Sequence, residues 1–299
     1  MKTHLALFLV NLIYAANYTV AKEVMPNFIQ PFGFIFLRVI SALIFFLITY
    51  LVFIKEKIHR SDWWRLIACG VFGVAINQLM FFKGLNITTP INAALIMIST
   101  PIMVFVISFF LRTEKMTYLK IAGLMLGAIG YLMVVSGNDF SFSSDTMLGD
   151  IFIWINASSY GLYLILVKPL MRKYNPLTVI FYVFLFGFFI VSIAGFSEFR
   201  SIEWHTFTPS IWISVAYVVF GTTILAYLLN IYALSKVNPS VVSIYIYLQP
   251  VLASLIAVSF GKDVLDVQKI TAAALILSGV FMVTQRKPFA MFTFKKQEG

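Results

Sequence analysis

Of 299 residues only 11% are charged and 61% belong to the hydrophobic set, with mean hydropathy +0.93; a soluble domain carries about 25% charged residues. That composition excludes an ordinary soluble globule, and a single cysteine, Cys69, excludes internal disulfides and cysteine-built metal clusters. The net charge of +10 would point to a polyanion only if the basic residues formed one patch, and they are instead spread between apolar runs.

A bilayer core takes about 20 apolar residues per helix, and the chain divides into ten such runs: 3–21, 32–54, 63–82, 91–111, 117–136, 147–167, 176–197, 210–234, 240–260 and 268–284. The first carries Tyr14 and Asn17, one turn apart. It continues into Ala21-Lys22-Glu23 with no small-residue cleavage site, so it reads as a span and not as a signal peptide. The second holds Arg38, and the third Asn77 and Gln78. The fourth opens at Pro90 and is interrupted at Pro101. The fifth has a small face of Gly123, Gly127 and Gly130, and the sixth a stripe of Asn156, Tyr160 and Tyr163 at i, i+4, i+7. The eighth repeats that spacing with Thr223, Tyr227 and Asn230. The ninth opens at Pro239, carries Tyr245 and Gln249, and is interrupted at Pro250. Trp63, Trp64, Trp204 and Trp212 stand at span edges, where indoles settle at headgroups.

A shift of 149 residues lays 82–136 onto 231–285 without a gap. Ten positions coincide, among them Leu85/Leu234, Pro90/Pro239, Pro101/Pro250, Lys120/Lys269, Gly130/Gly279 and Met133/Met282, and Glu114 meets Asp263. A lysine, an acid, a glycine and two prolines do not keep register by chance, so the chain is an internal duplication. The earlier spans match at a shift of 146, with Tyr14 on Tyr160 and Lys22 on Lys168. Five spans per half is an odd number, so the halves enter the membrane in opposite senses. Sixteen of the 22 basic residues fall on the side of the N-terminus and five on the other, which places both termini in the cytoplasm and makes the basic excess a topology signal. Glu114 is then cytoplasmic and Asp263 external, and the tail 286–299 is expected on the anionic inner leaflet.

In lipid, polar groups face the bundle interior or a wet cavity. The candidate substrate-binding residues are therefore Tyr14, Asn17, Arg38, Asn77, Gln78, Asn156, Tyr160, Tyr163, Tyr227, Asn230, Tyr245 and Gln249. Aromatic and amide groups suit a ligand that is part apolar and part hydrogen-bonding; the plainer reading is interhelical hydrogen bonding. Arg38 is read either as a fixed charge for a substrate carboxylate or as a snorkelling or carbonyl-capping arginine. Lys22 and Lys168 read as interfacial. The glycine face is either close packing within the bundle or a homodimer seam. Pro101 and Pro250 each remove the hydrogen bond to the carbonyl four residues earlier, at Met97 and Ile246, and are read as hinges or static kinks, with Thr100 and Gln249 facing the path. No Asp, Glu or His lies mid-span, which favours facilitated diffusion or exchange over proton coupling. No catalytic constellation argues for an enzyme.

These residues resemble the drug/metabolite transporter superfamily, in particular its EamA-type ten-helix members. The resemblance rests on the opening span around Tyr14, Asn17 and Lys22, on Arg38, and on the stretches 82–101 and 227–250. Tyr14-Ala15 departs from a common Trp-Gly, and Arg112-Thr113-Glu114 and Gly261-Lys262-Asp263 from a common Gly-Glu pair. It implies an all-α polytopic membrane protein with ten transmembrane helices as two inverted five-helix repeats, 1–137 and 147–285, joined by an external loop, 138–146. The expected activity is export, facilitated movement or exchange of small amphiphilic metabolites such as amino acids or related carboxylates across an inner membrane, by alternating access. A nucleotide-sugar or sugar-phosphate exchanger is the second reading. The expected partners are a small-molecule substrate and the bilayer, with no nucleic acid, cofactor or metal.

Overall fold

The computed structural model describes residues 2–54, 56–136, 144–259, 267–285 and 290–292. Among these residues ten helices run α1 (Lys2–Val24), α2 (Pro31–Phe53), α3 (63–87), α4 (90–110), α5 (Tyr118–Ser136), α6 (Ser144–Lys173), α7 (Pro176–Arg200), α8 (209–236), α9 (239–259) and α10 (Val267–Thr284). Among the described residues nine helical stretches are long and apolar enough to cross a membrane, and α5 is apolar over Tyr118–Val134. The protein is thus an all-α polytopic membrane protein. Asp263, residues 138–143 and most of the tail lie outside the described residues. Helix α6 starts at Ser144, three residues before the expected span. Ala290–Phe292 pair antiparallel with Met116–Thr117, next to the start of α5.

The two halves, α1–α5 and α6–α10, pack as inverted repeats. Helix α5 lies along its own copy α10, and α2 along its copy α7. Helix α3 packs on α6 as α8 packs on α1, and α4 on α6 as α9 on α1. Exchanging the halves leaves this pattern unchanged, as a pseudo-two-fold axis requires. Residues joined to their own copies mark where the axis passes. Gln78 Nε2 donates to the Tyr227 hydroxyl at 3.2 Å, and the Tyr247 hydroxyl to the Ile98 carbonyl at 3.4 Å, each across 149 residues.

The glycine face closes the α5–α10 contact. A Cβ on Gly123 would stand 2.7 Å from the Gly279 carbonyl oxygen, and one on Gly279 2.5 Å from that of Gly123. Backbones approach this closely only where side chains are absent. The face is covered within the chain, so it is not an open seam for a second copy.

Helix ends are capped by side chains of neighbouring helices, the lysines within one repeat and the glutamates from the other. Lys22 Nζ donates to the Leu85 and Thr88 carbonyls at the end of α3 (3.0 and 2.6 Å), and Lys168 Nζ to Leu234 and Val237 at the end of α8 (2.5 and 2.6 Å). Helices end with unpaired carbonyls and negative partial charge, and a lysine answers both. These lysines are therefore internal caps. Lys22→Met and Lys168→Met are each expected to cost about 1 kcal/mol, equally in the two halves, read as thermal unfolding of the purified protein. Glu198 Oε2 accepts the Phe32 and Gly33 amides at the start of α2 (2.7 and 2.9 Å), and Glu56 Oε2 the Asn175 amide before α7 (2.9 Å). Glu114 accepts the Ser240 amide and hydroxyl at the start of α9 (3.0 and 2.7 Å) and pairs with Lys120 at 2.6 Å.

Four interruptions of regular helix lie in repeat-related places. Helix α3 is π-helical over Val71–Ile76 and α8 over Tyr217–Leu225. Nothing in the apolar pattern announces these segments, because a π turn needs no signature residue. Helix α4 is broken at Met97 and Ile98, and α9 tightens to 3-10 geometry over Tyr245–Tyr247, each just before the interior proline. The Met97 carbonyl, denied its partner by Pro101, is taken by the Thr100 amide in a tighter turn at 3.1 Å.

Candidate functional site

A cavity with about 90 Å³ of room for the centre of a water molecule lies between the helices. Its wall is Leu7, Val10, Asn11, Tyr14, Asn17 and Tyr18 of α1; Arg38 of α2; Asn77, Gln78, Phe81 and Phe82 of α3; and Met97 of α4. It is completed by Asn156 and Tyr160 of α6, Tyr227 and Asn230 of α8, and Val242, Ile246 and Gln249 of α9. Ten of the twelve residues singled out from the sequence stand on it.

The other two lie off it. Tyr163 fills the space that a side chain at Gly73 would take, packing α6 on α3. Tyr245 accepts or donates a 2.7 Å bond with His4 Nδ1 near the beginning of α1. An α-helical count from Gln249 puts Tyr245 on the cavity stripe. The 3-10 segment advances about 120° per residue instead of 100° and rotates it away. Thr100 is fully buried and does not line the cavity.

Arg38 dominates the electrostatics. It is 4% exposed, so it does not snorkel, and it caps no carbonyl. Nε donates to the Thr223 hydroxyl at 2.7 Å and Nη2 to that of Thr222 at 3.2 Å, while the guanidinium lies 4.6 Å from the Phe82 ring centre. Both threonine hydroxyls give their own protons to the Val218 carbonyl (2.7 and 3.0 Å), so towards Arg38 they can only accept. The π-helical segment of α8 makes this arrangement, since it sends the two consecutive threonines to one carbonyl and one guanidinium. Among the described residues no carboxylate pairs with Arg38. The result is a fixed positive charge, held by hydroxyls and an aromatic face, at the wall of a cavity.

Another part of the wall is built from amide and phenol groups that brace the π segment of α3. The Tyr227 hydroxyl donates to the Gly73 carbonyl at 3.1 Å, and Asn156 Nδ2 to that of Asn77 at 2.7 Å; Ser159 bonds the Phe72 carbonyl. Asn230 Nδ2 donates to the Tyr160 hydroxyl. Nearer α9, the Tyr18 hydroxyl donates to Gln249 Oε1 at 3.1 Å, and Gln249 Nε2 to Asn11 Oδ1 at 2.9 Å. Asn11 and Tyr18 escaped the sequence reading, although their spacing from Tyr14 (i−3 and i+4) puts them on the same stripe.

The cavity is not symmetric about the pseudo-two-fold axis. Helix α1 lines it over three turns, but its copy α6 contributes only Asn156 and Tyr160. Helix α9 contributes three residues, and its copy α4 only Met97. The space is displaced towards the face at which α1 and α9 begin, and the equivalent region between α4 and α6 is packed shut.

The EamA-like transporter family model matches the chain twice, over residues 1–136 and 147–285. An uncharacterized transporter of Archaeoglobus fulgidus is 28% identical over 291 residues, covering 96% of this chain and 98% of its own. A WAT1-related protein of Arabidopsis thaliana is 21% identical, covering 96% of this chain and 86% of its own. A solved crystal structure superposes with a TM-score of 0.75 at 18% identity, over 94% of this chain and 96% of that one.

Proposed function

The chain belongs to the EamA-like transporter family, and on that premise we propose that it carries small amphiphilic metabolites bearing a carboxylate, amino acids among them, by alternating access around the central cavity. The observation that carries this reading is Arg38, a buried cation facing a cavity with no carboxylate among the described residues to neutralise it. A charge at the bilayer centre costs about 2.5–3.5 kcal/mol on insertion scales, and an anionic ligand returns part of that cost. The tyrosines and phenylalanines of the wall serve the ligand's apolar part. A sugar-phosphate or nucleotide-sugar ligand calls for more than one cation, and Arg38 is the one basic side chain among the lining residues.

Inverted repeats place a site at their interface and let one repeat rock against the other. The displaced cavity is one end state, and the exchanged packing of α4–α6 and α1–α9 is the other. With both termini in the cytoplasm of a bacterial inner membrane, as the basic residues favour, the cavity leans inward. No Asp, Glu or His is among the lining residues, which supports diffusion or exchange without a proton. The test is counterflow in proteoliposomes against a metabolite panel, with and without a pH gradient. Carboxylate-bearing solutes exchange, and the gradient alone drives nothing. Movement of only neutral or phosphorylated solutes contradicts the substrate class, and uptake that follows only the proton gradient contradicts the uncoupled mechanism.

A further inference from the structure

The mouth of the bundle at which α4 and α6 begin is packed shut, and a buried carboxylate stands in the seal. Asp150, on the second turn of α6, is 7% exposed. Its Oδ1 accepts the Thr88 hydroxyl at 2.5 Å, and Asn92 Nδ2 reaches both carboxylate oxygens from 3.5 Å. Thr88 and Asn92 bracket the corner between α3 and α4, and both are buried. Among the described residues no lysine or arginine pairs with Asp150. The corner is closely seated. A Cβ on Gly149 would stand 2.7 Å from the Thr88 amide nitrogen, and Lys22 holds the Thr88 carbonyl from α1. The other mouth is built differently. The shifts that superpose the repeats put His4 at the place of Asp150, and Val237 and Val241 at those of Thr88 and Asn92. Valine side chains offer no donor, and His4 bonds Tyr245. The start of α9 is held by Glu114, through the Ser240 amide and hydroxyl, on the corner between α4 and α5.

We propose that Asp150 is a one-sided latch that holds the α4–α6 mouth shut in the unloaded carrier. The two end states of the alternation are then unequal, and the protein rests open towards the face at which α1 and α9 begin. The repeated backbone makes the two packings alike, and the side chains at the latch positions make them differ. Opening the shut mouth parts α4 from α6 and moves the carboxylate from Thr88 and Asn92 into water. Hydrogen bonds to a charged group are strong enough to bias such an equilibrium about tenfold. Both donors are neutral and water replaces them on opening, so the latch biases the carrier without locking it.

This inference rests on the reading of alternating access, and the experiment separates the two without needing a substrate. In the full chain carrying Cys69→Ser, Ala93→Cys on α4 and Val242→Cys at the equivalent place on α9 are exposed to a membrane-impermeant thiol reagent in oriented vesicles. Asp150→Ala is expected to speed Ala93→Cys about tenfold from the face where α4 begins, and to slow Val242→Cys from the other face. Thr88→Val with Asn92→Val, which reproduces the residues of the other mouth, has the same effect and serves if Asp150→Ala folds poorly. Asp150→Asn, which still accepts from Thr88, falls between. Rates unmoved in the folded variants overturn the latch and leave the alternation standing. So does a parallel rise at both cysteines, the mark of general loosening. Reaction of both cysteines from one face while Asp150 is intact overturns the alternation and the latch with it.

Discussion

Arg38→Gln lowers counterflow of carboxylate substrates about a hundredfold and leaves thermal stability unchanged or slightly raised. A hydrogen bond to a charged group contributes about 1.5–3 kcal/mol, and two such bonds from a guanidinium to a carboxylate are enough for two orders of magnitude. Stability does not follow transport down, because among the described residues Arg38 has no partner carboxylate to be stranded by its removal. The threonine hydroxyls that accept from it keep their bonds to Val218. Arg38→Lys restores little, since an ammonium cannot reproduce the planar fork that meets Thr222, Thr223 and the Phe82 ring together. Unchanged carboxylate transport in Arg38→Gln, with the variant folded, removes the arginine from the site. Equal loss of a cationic solute such as phenethylamine would mark a structural role instead.

Pro101→Ala and Pro250→Ala together lower turnover about tenfold while leaving substrate affinity near its original value. Proline interrupts the helical ladder, and the two irregular turns, Met97–Ile98 and Tyr245–Tyr247, fall just before the two prolines. The turns touch across the pseudo-two-fold axis through Tyr247 and the Ile98 carbonyl. Tyr131 bonds the Ala94 carbonyl on the same stretch. Restoring the ladder straightens segments that we take to bend as the repeats rock, and a regular helix resists that bend. Each single variant has a similar effect, because the positions are copies. Altered stability with near-normal turnover identifies the prolines as static kinks, and turnover with affinity is measured on the same reconstituted samples.

The ten spans, the duplication and the proline register were legible because each rests on composition or on one-dimensional pattern. Polar residues in apolar helices must face inward, and that rule brought Tyr14, Asn17, Arg38, Asn156 and Tyr227 to one cavity. What escaped depends on rotation about a helix axis. Tyr160 and Tyr163 share a stripe on paper, and one faces the cavity while the other packs on Gly73. The π turns escaped too, and with them the reason that Thr222 and Thr223 can both hold Arg38. Lys22 and Lys168 read as interfacial because sequence gives a residue's depth but not the neighbouring helix end that it caps. The asymmetry of the cavity is a property of one conformation, so no sequence pattern encodes it.

The central claim, that one sequence alternates between two packings related by exchange of its repeats, is tested most directly by reciprocal accessibility. Val242 on α9 lines the cavity at 3% exposure, and its copy on α4, Ala93, is at 0% and is not among the lining residues. In a Cys69→Ser background, Val242→Cys and Ala93→Cys are each exposed to a membrane-impermeant thiol reagent in vesicles of known orientation, with and without a carboxylate substrate undergoing counterflow. The account predicts that Val242→Cys reacts from the face where α1 begins and Ala93→Cys from the opposite face, and that substrate changes the two rates in opposite senses. Reaction of both from one face, or changes in the same sense, would contradict it.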